Sequence, residues 1–353
     1  MLKLRRGVVV SAEPLEVDIE GARRPAWADP ALVGPCEEGD EVVVNTAALD
    51  LELGSGGFDI VHVNLTRGLE AGEAPEGVHV MKLNYTSLQH PVDPVEAPAE
   101  VELRPARQMP VLVVPLHGHL APAAWAAAAA RPGARIGFVQ TAGAALPATL
   151  SRDVAALRER RILIETVSAA PAYGGDHEAI SVTGALHAAA VRLGWDLAIA
   201  GPGPGILGSA TRLGHGGLAA LDTLHAALSL RLPAVFSPRM SIGDPRPRHQ
   251  GLSHHSRSVL DLVLAGVRVA APAEIEPGGS PGDPAGAVGE GLAELTEACS
   301  ERHELCAVEV DLAGYGAAQL SRRTMGRDLE EDPLFFAAPL AAGTVAAELI
   351  ATT

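Results

Sequence analysis

Seven short apolar runs, separated by helix-length stretches, follow one another from Met109 onward. Apolar runs without polar alternation are typical of strands that are buried on both faces. Strands that alternate with helices form a parallel sheet covered by helices on both sides. The pattern therefore predicts a doubly wound, mostly parallel α/β domain, Rossmann-like, over residues 110–353. The predicted strands are Val111–Leu116, Arg135–Gln140, Ile162–Val167, Asp196–Ala200, Ala234–Ser237, Val267–Ala271 and Ala307–Asp311, and the predicted helices are about 121–130, 147–160, 178–193, 215–230, 253–265, 287–303 and 333–350.

Residues 1–89 have a different texture, with short Val- and Ile-rich segments and glycine turns such as Gly54–Gly57. No helix of normal length fits this part. Because closure hides the edges of a small sheet, we predict an all-β barrel or sandwich module here. Residues 90–109, rich in Pro, Glu and Ala, are predicted to be a linker. The predicted strands of the module are Gly7–Ser11, Leu15–Ile19, Glu41–Asn45, Phe58–Asn64 and Val78–Leu83.

The composition excludes several classes of protein. A formal net charge of −16 repels phosphate backbones, so general nucleic-acid binding is disfavoured, whereas a local site for a small anion is not. The three cysteines form no C-x-x-C pair, which argues against a disulfide scaffold or a zinc ribbon. No stretch approaches the ~20 apolar residues that cross a bilayer, and the start lacks a secretory apolar core. We expect a cytoplasmic protein with no membrane partner, and a homo-oligomer is compatible with the sequence.

A glycine-rich loop, Gly201–Arg212, follows the fourth predicted strand. Glycines let backbone amides approach a ligand, and the start of the next helix attracts anions. Gly203, Gly205 and Gly208 also satisfy the G-x-G-x-x-G spacing. A dinucleotide is nevertheless the weaker alternative, because no acidic residue closes the next strand, and no Lys follows the glycines as in a phosphate loop. The loop is interpreted either as an anion site or as a structural turn.

Histidines also follow the predicted strands. His117 and His119 come after the first strand, where an extended segment places both imidazoles on one side. His254 and His255 open a helix behind the predicted cap Ser253, and a helix N-terminus opposes their protonation. Neutral imidazole can act as a base or ligate a metal, but a metal needs three or four converging ligands. We take His117, His254 and His255 as candidate catalytic residues and assign neither a metal nor a cofactor.

Ligands of parallel sheets bind beyond the carboxyl ends of the strands. Thr141 follows the second predicted strand, and Thr211 lies in the glycine loop. Three arginines, Arg322, Arg323 and Arg327, come after the last strand. These arginines can clamp a carboxylate or phosphate, or pair with the acidic run 328–332. The hypothesis of a site depends on such residues sharing one rim. The candidate ligand-binding residues are Thr141, Gly203, Gly205, Gly208, Thr211, Arg322 and Arg323.

Several segments together resemble an uncharacterised bacterial family, domain-of-unknown-function family 3866. The resemblance covers nearly the whole chain and implies that both modules belong to one protein, but it implies no activity. The family pattern often carries an acidic residue where this chain has Ala142 and a glycine where it has Ala210. An altered or lost activity follows if that acid is catalytic in relatives. The segments are Asn45–Leu51, Gly54–Gly57, Leu83–Gln89, Gly203–Thr211, Gly251–Ser256, Thr324–Arg327 and Glu331–Pro333.

Three functions fit these residues. The favoured one is an enzyme acting on a small anionic metabolite, with histidines as acid or base and with arginines and loop amides holding the charge. The second is a non-catalytic ligand sensor or regulatory protein. The third is an assembly protein whose polar rim is an oligomer interface. An enzyme should bring at least two titratable groups within hydrogen-bond reach of one pocket, which separates it from the other two.

Overall fold

A computed structural model describes residues 2–52, 56–69, 78–96, 101–273 and 284–351. The chain divides into two compact units, Met1–Asp93 and Pro94–Thr353. Each unit has apolar core residues of its own. Among the described residues, no helix is both long enough and apolar enough to cross a membrane.

The N-terminal unit contains a closed five-stranded barrel, which confirms the predicted barrel-like module. Its elements are β1 Leu4–Ala12, β2 Leu15–Ile19, β3 Ala22–Trp27, α1 Pro30–Val33, β4 Glu41–Asn45, α2 Ala47–Asp50 and β5 Asp59–Asn64. The strand order is β1-β2-β3-β5-β4. Successive side chains of a strand point to opposite faces, so the buried valines Val9, Val17, Val42 and Val44 fill the interior. Of the predicted Gly54–Gly57 turn, residues 54 and 55 lie outside the described residues.

One barrel strand, β3, was missed by the sequence analysis because its Arg23-Arg24-Pro25 segment lacks an apolar pattern. Arg24 is held instead by its neighbours, since its Nε donates to Asp59 at 2.5 Å and its Nη2 donates to Asp50 at 2.7 Å. Ion pairs of Arg24, rather than a pattern of apolar residues, therefore help to hold β3 in the barrel.

The predicted strand Val78–Leu83 lies outside the barrel. Its centre, β6 (Val80–Lys82), pairs antiparallel with β7 (His90–Val92). The segment 90–109, predicted as a linker, thus begins with a strand of the first unit. Its residue Val95 already belongs to the second unit, where its amide donates to the Glu178 carbonyl at 2.7 Å. Residues 97–100 lie outside the described ranges.

The C-terminal unit is built from regular elements that alternate along the chain. Its strands are β8 Val111–Val113, β9 Ile136–Thr141, β10 Thr166–Ala169, β11 His177–Ala179, β12 Leu197–Pro202, β13 Ala234–Phe236, β14 Met240–Ser241, β15 Gly251–Leu252, β16 Arg268–Pro272, β17 Glu304–Val308, β18 Arg323–Thr324 and β19 Arg327–Asp328. Its helices are α3 Leu120–Ala130, α4 Arg152–Glu159, α5 Val182–Val191, α6 Ala219–Ser229, α7 His254–Leu262, α8 Pro284–Cys299, α9 Leu312–Ala317 and α10 Pro333–Glu348.

Eight of these strands form one all-parallel sheet in the order β11-β10-β9-β12-β8-β13-β16-β17. Helices α3, α4 and α9, with most of α10, pack on one face, and α5 to α8 pack on the other. The predicted doubly wound α/β fold is confirmed. The edge strand β11 was predicted as the start of a helix, because His177 and Glu178 are half-buried and give no apolar run.

The path of the chain changes direction around the central strand β8. The chain leaves β8 for α3 on one face, but it leaves both neighbours, β12 and β13, for helices on the other face. Connections that depart to opposite sides leave a crevice at the carboxyl ends of the strands. His117, the glycine loop and Ser237–Arg239 follow these three strands, so the fold directs them to this edge.

Candidate functional site

Four histidines, His215, His249, His254 and His255, come together in this unit, and we call them the histidine cluster. The stacked rings of His215 and His255 have centroids 3.9 Å apart, and His254 lies 4.4 Å from His255. The ring of His249 lies 4.8 Å from that of His255. Ser253 caps α7 as predicted, because its Oγ accepts a hydrogen bond from the His255 amide at 3.3 Å. The cap fixes the start of α7 and therefore the positions of His254 and His255, its first two residues.

Two buried nitrogens of the histidine cluster have no hydrogen-bond partner among the described residues. His215 Nε2 donates to the Arg212 carbonyl at 3.0 Å, whereas its buried Nδ1 has no partner within the described residues. The buried Nε2 of His254 is likewise unpaired there. Buried polar atoms without partners are rare in folded proteins. Both atoms are therefore available to a ligand.

Burial keeps the imidazoles of the histidine cluster neutral. It lowers the pKa of His249 to about 3, that of His254 to about 4 and that of His255 to about 2. The positive charge of Arg239 and the neighbouring imidazoles push the pKa in the same direction. The pKa of His215 is also lowered, again mainly by burial. Neutral imidazole offers a lone pair to a proton or to a metal ion.

Three arginines, Arg239, Arg246 and Arg327, gather around Asp244, and we call these four residues the arginine cluster. Asp244 Oδ2 lies 3.1 Å from Arg239 Nη2, 2.8 Å from Arg246 Nη2 and 3.4 Å from Arg327 Nη2. The side chains of Arg239 and Asp244 are only 2% and 0% exposed. Arg327 Nε also donates to Asp332 at 3.1 Å. Three guanidinium groups thus meet two carboxyl groups.

The arginine cluster is a local positive region in a chain of net charge −16. Burial lowers the pKa of Arg239 to about 10, which leaves it charged at neutral pH. Burial alone would raise the pKa of Asp244, but the hydrogen bonds and charge of Arg246, with the charge of Arg327, hold it well below its usual range. Arg239 Nη1 lies 3.4 Å from His255 Nδ1, so the two clusters adjoin.

Both clusters fall within a region, residues 25–343, that matches the family model described as "Protein of unknown function (DUF3866)". The chain belongs to the DUF3866 family. No curated protein and no solved structure matches it. Membership confirms the resemblance drawn from the sequence segments.

The DUF3866 chain brings three of the predicted site residues together. His254 and His255 belong to the histidine cluster, and a Cβ on Gly208 would lie 3.7 Å from His215 Cβ and 3.8 Å from His255 Cε1. Gly203 lies at a close backbone approach instead, because a Cβ there would come 2.4 Å from the Ala145 carbonyl oxygen. The end of the glycine loop therefore lies beside the histidine cluster.

The other predicted catalytic histidine of this DUF3866 member, His117, has different partners. Its buried ring donates from Nδ1 to the Pro202 carbonyl at 3.0 Å. Its Nε2 accepts from Ser151 Oγ at 2.6 Å, and Ser151 is also the N-cap of α4. Both ring nitrogens thus tie the end of β12 to the start of α4.

Four of the remaining predicted ligand-binding residues, Arg322, Arg323, Thr211 and Thr141, have local hydrogen-bond partners. Arg322 Nη1 donates to the Gly316 carbonyl at 3.1 Å, and Arg323 Nη2 donates to the Gly326 carbonyl at 3.2 Å. Thr211 Oγ1 lies 2.8 Å from Ser209 Oγ, Thr141 Oγ1 donates to the Ala142 carbonyl at 3.3 Å, and Gly205 takes a positive φ of 73°. The sequence analysis assumed that all candidate residues lie on one rim. The structure places Gly208 beside the histidine cluster, whereas Arg322 contacts the end of α9.

Sequence reasoning did not select Arg239, Asp244, Arg246 and His249 of this DUF3866 chain, which all lie between β13 and α7. A signal was present, since the segment from Arg239 to His255 is rich in Arg and His. Arg327, named with Arg322 and Arg323 as a possible clamp but not selected as a candidate ligand-binding residue, reaches the arginine cluster.

Proposed function

We propose that this DUF3866 protein is an enzyme that binds a small anionic metabolite, phosphate- or carboxylate-bearing, at the carboxyl edge of its parallel sheet. The observation that supports this function best is the contact between the arginine cluster and the histidine cluster. It brings positive charge and several neutral imidazoles to one place in an acidic chain.

The arginine cluster supplies the recognition. Guanidinium groups present planar sets of donors that match carboxylate and phosphate oxygens. Arg246 uses Nε and Nη2 to bind Asp244, and its side chain is 40% exposed, so its other N–H donors can reach a ligand. Arg239, almost fully buried, contributes its charge from behind. Cations at a partly desolvated edge attract an anion more strongly than they would in water.

The histidine cluster supplies the chemistry. A bound anion raises the pKa of the imidazoles beside it, so that an imidazole that is neutral in the free protein can accept a proton from the substrate as a general base. The nearby guanidinium groups stabilise negative charge that develops during the reaction. A non-catalytic sensor needs the arginines but gains nothing from four adjacent imidazoles. The clustering of titratable groups therefore favours the enzyme over the sensor.

Ligand-induced thermal stabilisation tests the recognition step. A panel of phosphate- and carboxylate-bearing metabolites is screened against the parent, Arg246→Ala and the control Arg131→Ala. Arg131 ends α3 and thus lies at the opposite edge of the sheet. Loss of one charge-assisted hydrogen bond costs about 1.5–3 kcal/mol, so we expect Arg246→Ala to weaken binding by roughly 10- to 100-fold and the control to bind like the parent.

Equal stabilisation of the parent and Arg246→Ala by every ligand that binds would contradict the proposed site. Each ligand that binds is then incubated with the protein, and its conversion is followed by NMR. Turnover that is lost in His255→Gln, with binding retained, supports the enzyme. Binding without turnover of any ligand indicates the sensor.

A further inference from the structure

The histidine cluster also has the arrangement of a metal site. One ligating nitrogen from each of His215, His254 and His255 can be chosen so that all three lie within 4.8 Å of one another. We propose that these three histidines bind one divalent transition-metal ion, with Zn²⁺ the ion that suits them best. This goes beyond the proposed function, because the metal site needs the three imidazoles and does not need the arginine cluster. With the ion bound, the lone pairs of these three histidines no longer accept a proton, which leaves His249 as the base of the cluster.

His215 is already oriented as a ligand. Its Nε2 donates to the Arg212 carbonyl at 3.0 Å, which leaves the proton on Nε2 and the lone pair on the buried, unpaired Nδ1. A histidine that ligates a metal almost always donates its other N–H to a carbonyl, a carboxylate or a water in this way. Ser258 Oγ donates to the same carbonyl at 3.0 Å and so helps to hold it in place.

His254 and His255 complete the set. The buried Nε2 of His254 has no partner among the described residues, so its lone pair or proton is not held by a neighbouring group. His255 Nδ1 lies 3.4 Å from Arg239 Nη1, which is long for a hydrogen bond and costs little to release. Zn–N bonds of about 2.0–2.1 Å place tetrahedral ligands about 3.3 Å apart. The nitrogens must therefore approach one another, and the stacked rings of His215 and His255 must turn so that both lone pairs point at one ion.

The donor types select the class of metal. Imidazole nitrogens suit Zn²⁺ and its transition-metal neighbours, whereas Mg²⁺ and Ca²⁺ require oxygen ligands. Three protein ligands leave the fourth tetrahedral position open, as in catalytic zinc sites. The positive charge of the neighbouring Arg239 and Arg246 opposes binding of a cation, so the ion is expected to bind together with an anion in its open position.

Calorimetric titration of the full chain, stripped of metal by a chelator, with ZnCl₂ tests the site. We expect one Zn²⁺ per chain and, with Co²⁺ as a substitute, the visible absorption of a tetrahedral ion. Loss of an outer partner already costs about 10- to 100-fold in affinity, so His215→Ala and His254→Ala should each weaken binding by at least about 100-fold. The control His187→Ala changes a histidine of α5 outside the cluster and should bind Zn²⁺ like the parent.

Failure of the parent to bind Zn²⁺ or Co²⁺, or unchanged binding by folded His215→Ala and His254→Ala, overturns the proposal. Near-ultraviolet circular dichroism checks the fold, and His254→Gln, at a half-buried position, replaces any variant that unfolds. Anion binding by the metal-free protein is measured in parallel. Zn²⁺ binding without anion binding would support the metal site and contradict the proposed function. Anion binding without Zn²⁺ binding would contradict the metal site and leave the proposed function standing.

Discussion

At the scale of single residues, buried histidines fix the carboxyl edge of the sheet. His117 joins Pro202 to Ser151, and His119 Nδ1 shares a 2.8 Å hydrogen bond with Ser237 Oγ at the end of β13. Their rings also pack edge-on against aromatic side chains, as His119 does against Phe335. A catalytic role of His117 stays a prediction. Its hydrogen bonds position the end of β12 relative to the start of α4.

The pH dependence of stability tests the state of His119. Burial and the charge of Arg239 lower its pKa from 6.5 to about 3. The unfolded chain binds a proton below about pH 6.5 and the folded chain does not, so this part of the stability is complete above that pH and is lost as pH falls toward 3. We expect His119→Gln to reduce the slope of unfolding free energy against pH by about 1.4 kcal/mol per unit between about pH 6 and 4.

Urea denaturation of the parent and His119→Gln over this pH range gives the two slopes. The same substitution at His187, on α5, controls for the change of residue type. Parallel curves for the parent and His119→Gln would show that His119 is not held neutral by the fold.

At the scale of elements, helices α3 and α10 approach closely because small residues line their contact. A Cβ on Gly343 would lie 2.1 Å from the Ala123 carbonyl oxygen. Overpacking of this kind costs about 1–3 kcal/mol, so Gly343→Val should lower the free energy of unfolding by roughly 3 kcal/mol.

A glycine of α8 gives the matched control. Gly289 is exposed, and a Cβ there meets no atom within 4 Å. Because glycine is a poor helix former, Gly289→Ala should raise stability by about 0.5–1 kcal/mol. Chemical denaturation measures both variants, and equal effects of the two substitutions would argue against close packing at Gly343.

Most helices and strands could be predicted from the sequence, but the contacts between residues of different loops could not. Every predicted strand of the α/β domain overlaps a strand of the sheet, because apolar runs between helices report burial locally. The edge strand β11 and the arginine-bearing β3 carry no such signal. The positions of Arg239, Asp244 and Arg327 depend on the paths of long loops, so local sequence could not show that they meet.

At the scale of the whole molecule, the two units have separate cores. Valines such as Val44 form the barrel core, while Val113 lies in the core of the α/β unit. Each is fully buried, so replacement by Ala should cost about 2 kcal/mol in its own unit. We expect two calorimetric transitions, with Val44→Ala lowering only one and Val113→Ala only the other. A single transition that both variants shift equally would show that the units unfold together.

The charge distribution of the whole chain supports the proposed function, in which an acidic protein uses arginines at one edge of its sheet to bind a small anion. The most direct measurement is a crystal structure determined with saturating orthophosphate. We expect phosphate within hydrogen-bond distance of the Arg246 guanidinium, beside the histidine cluster. Phosphate bound only elsewhere, such as at Arg322 and Arg323, with none at the arginine cluster, would contradict the account.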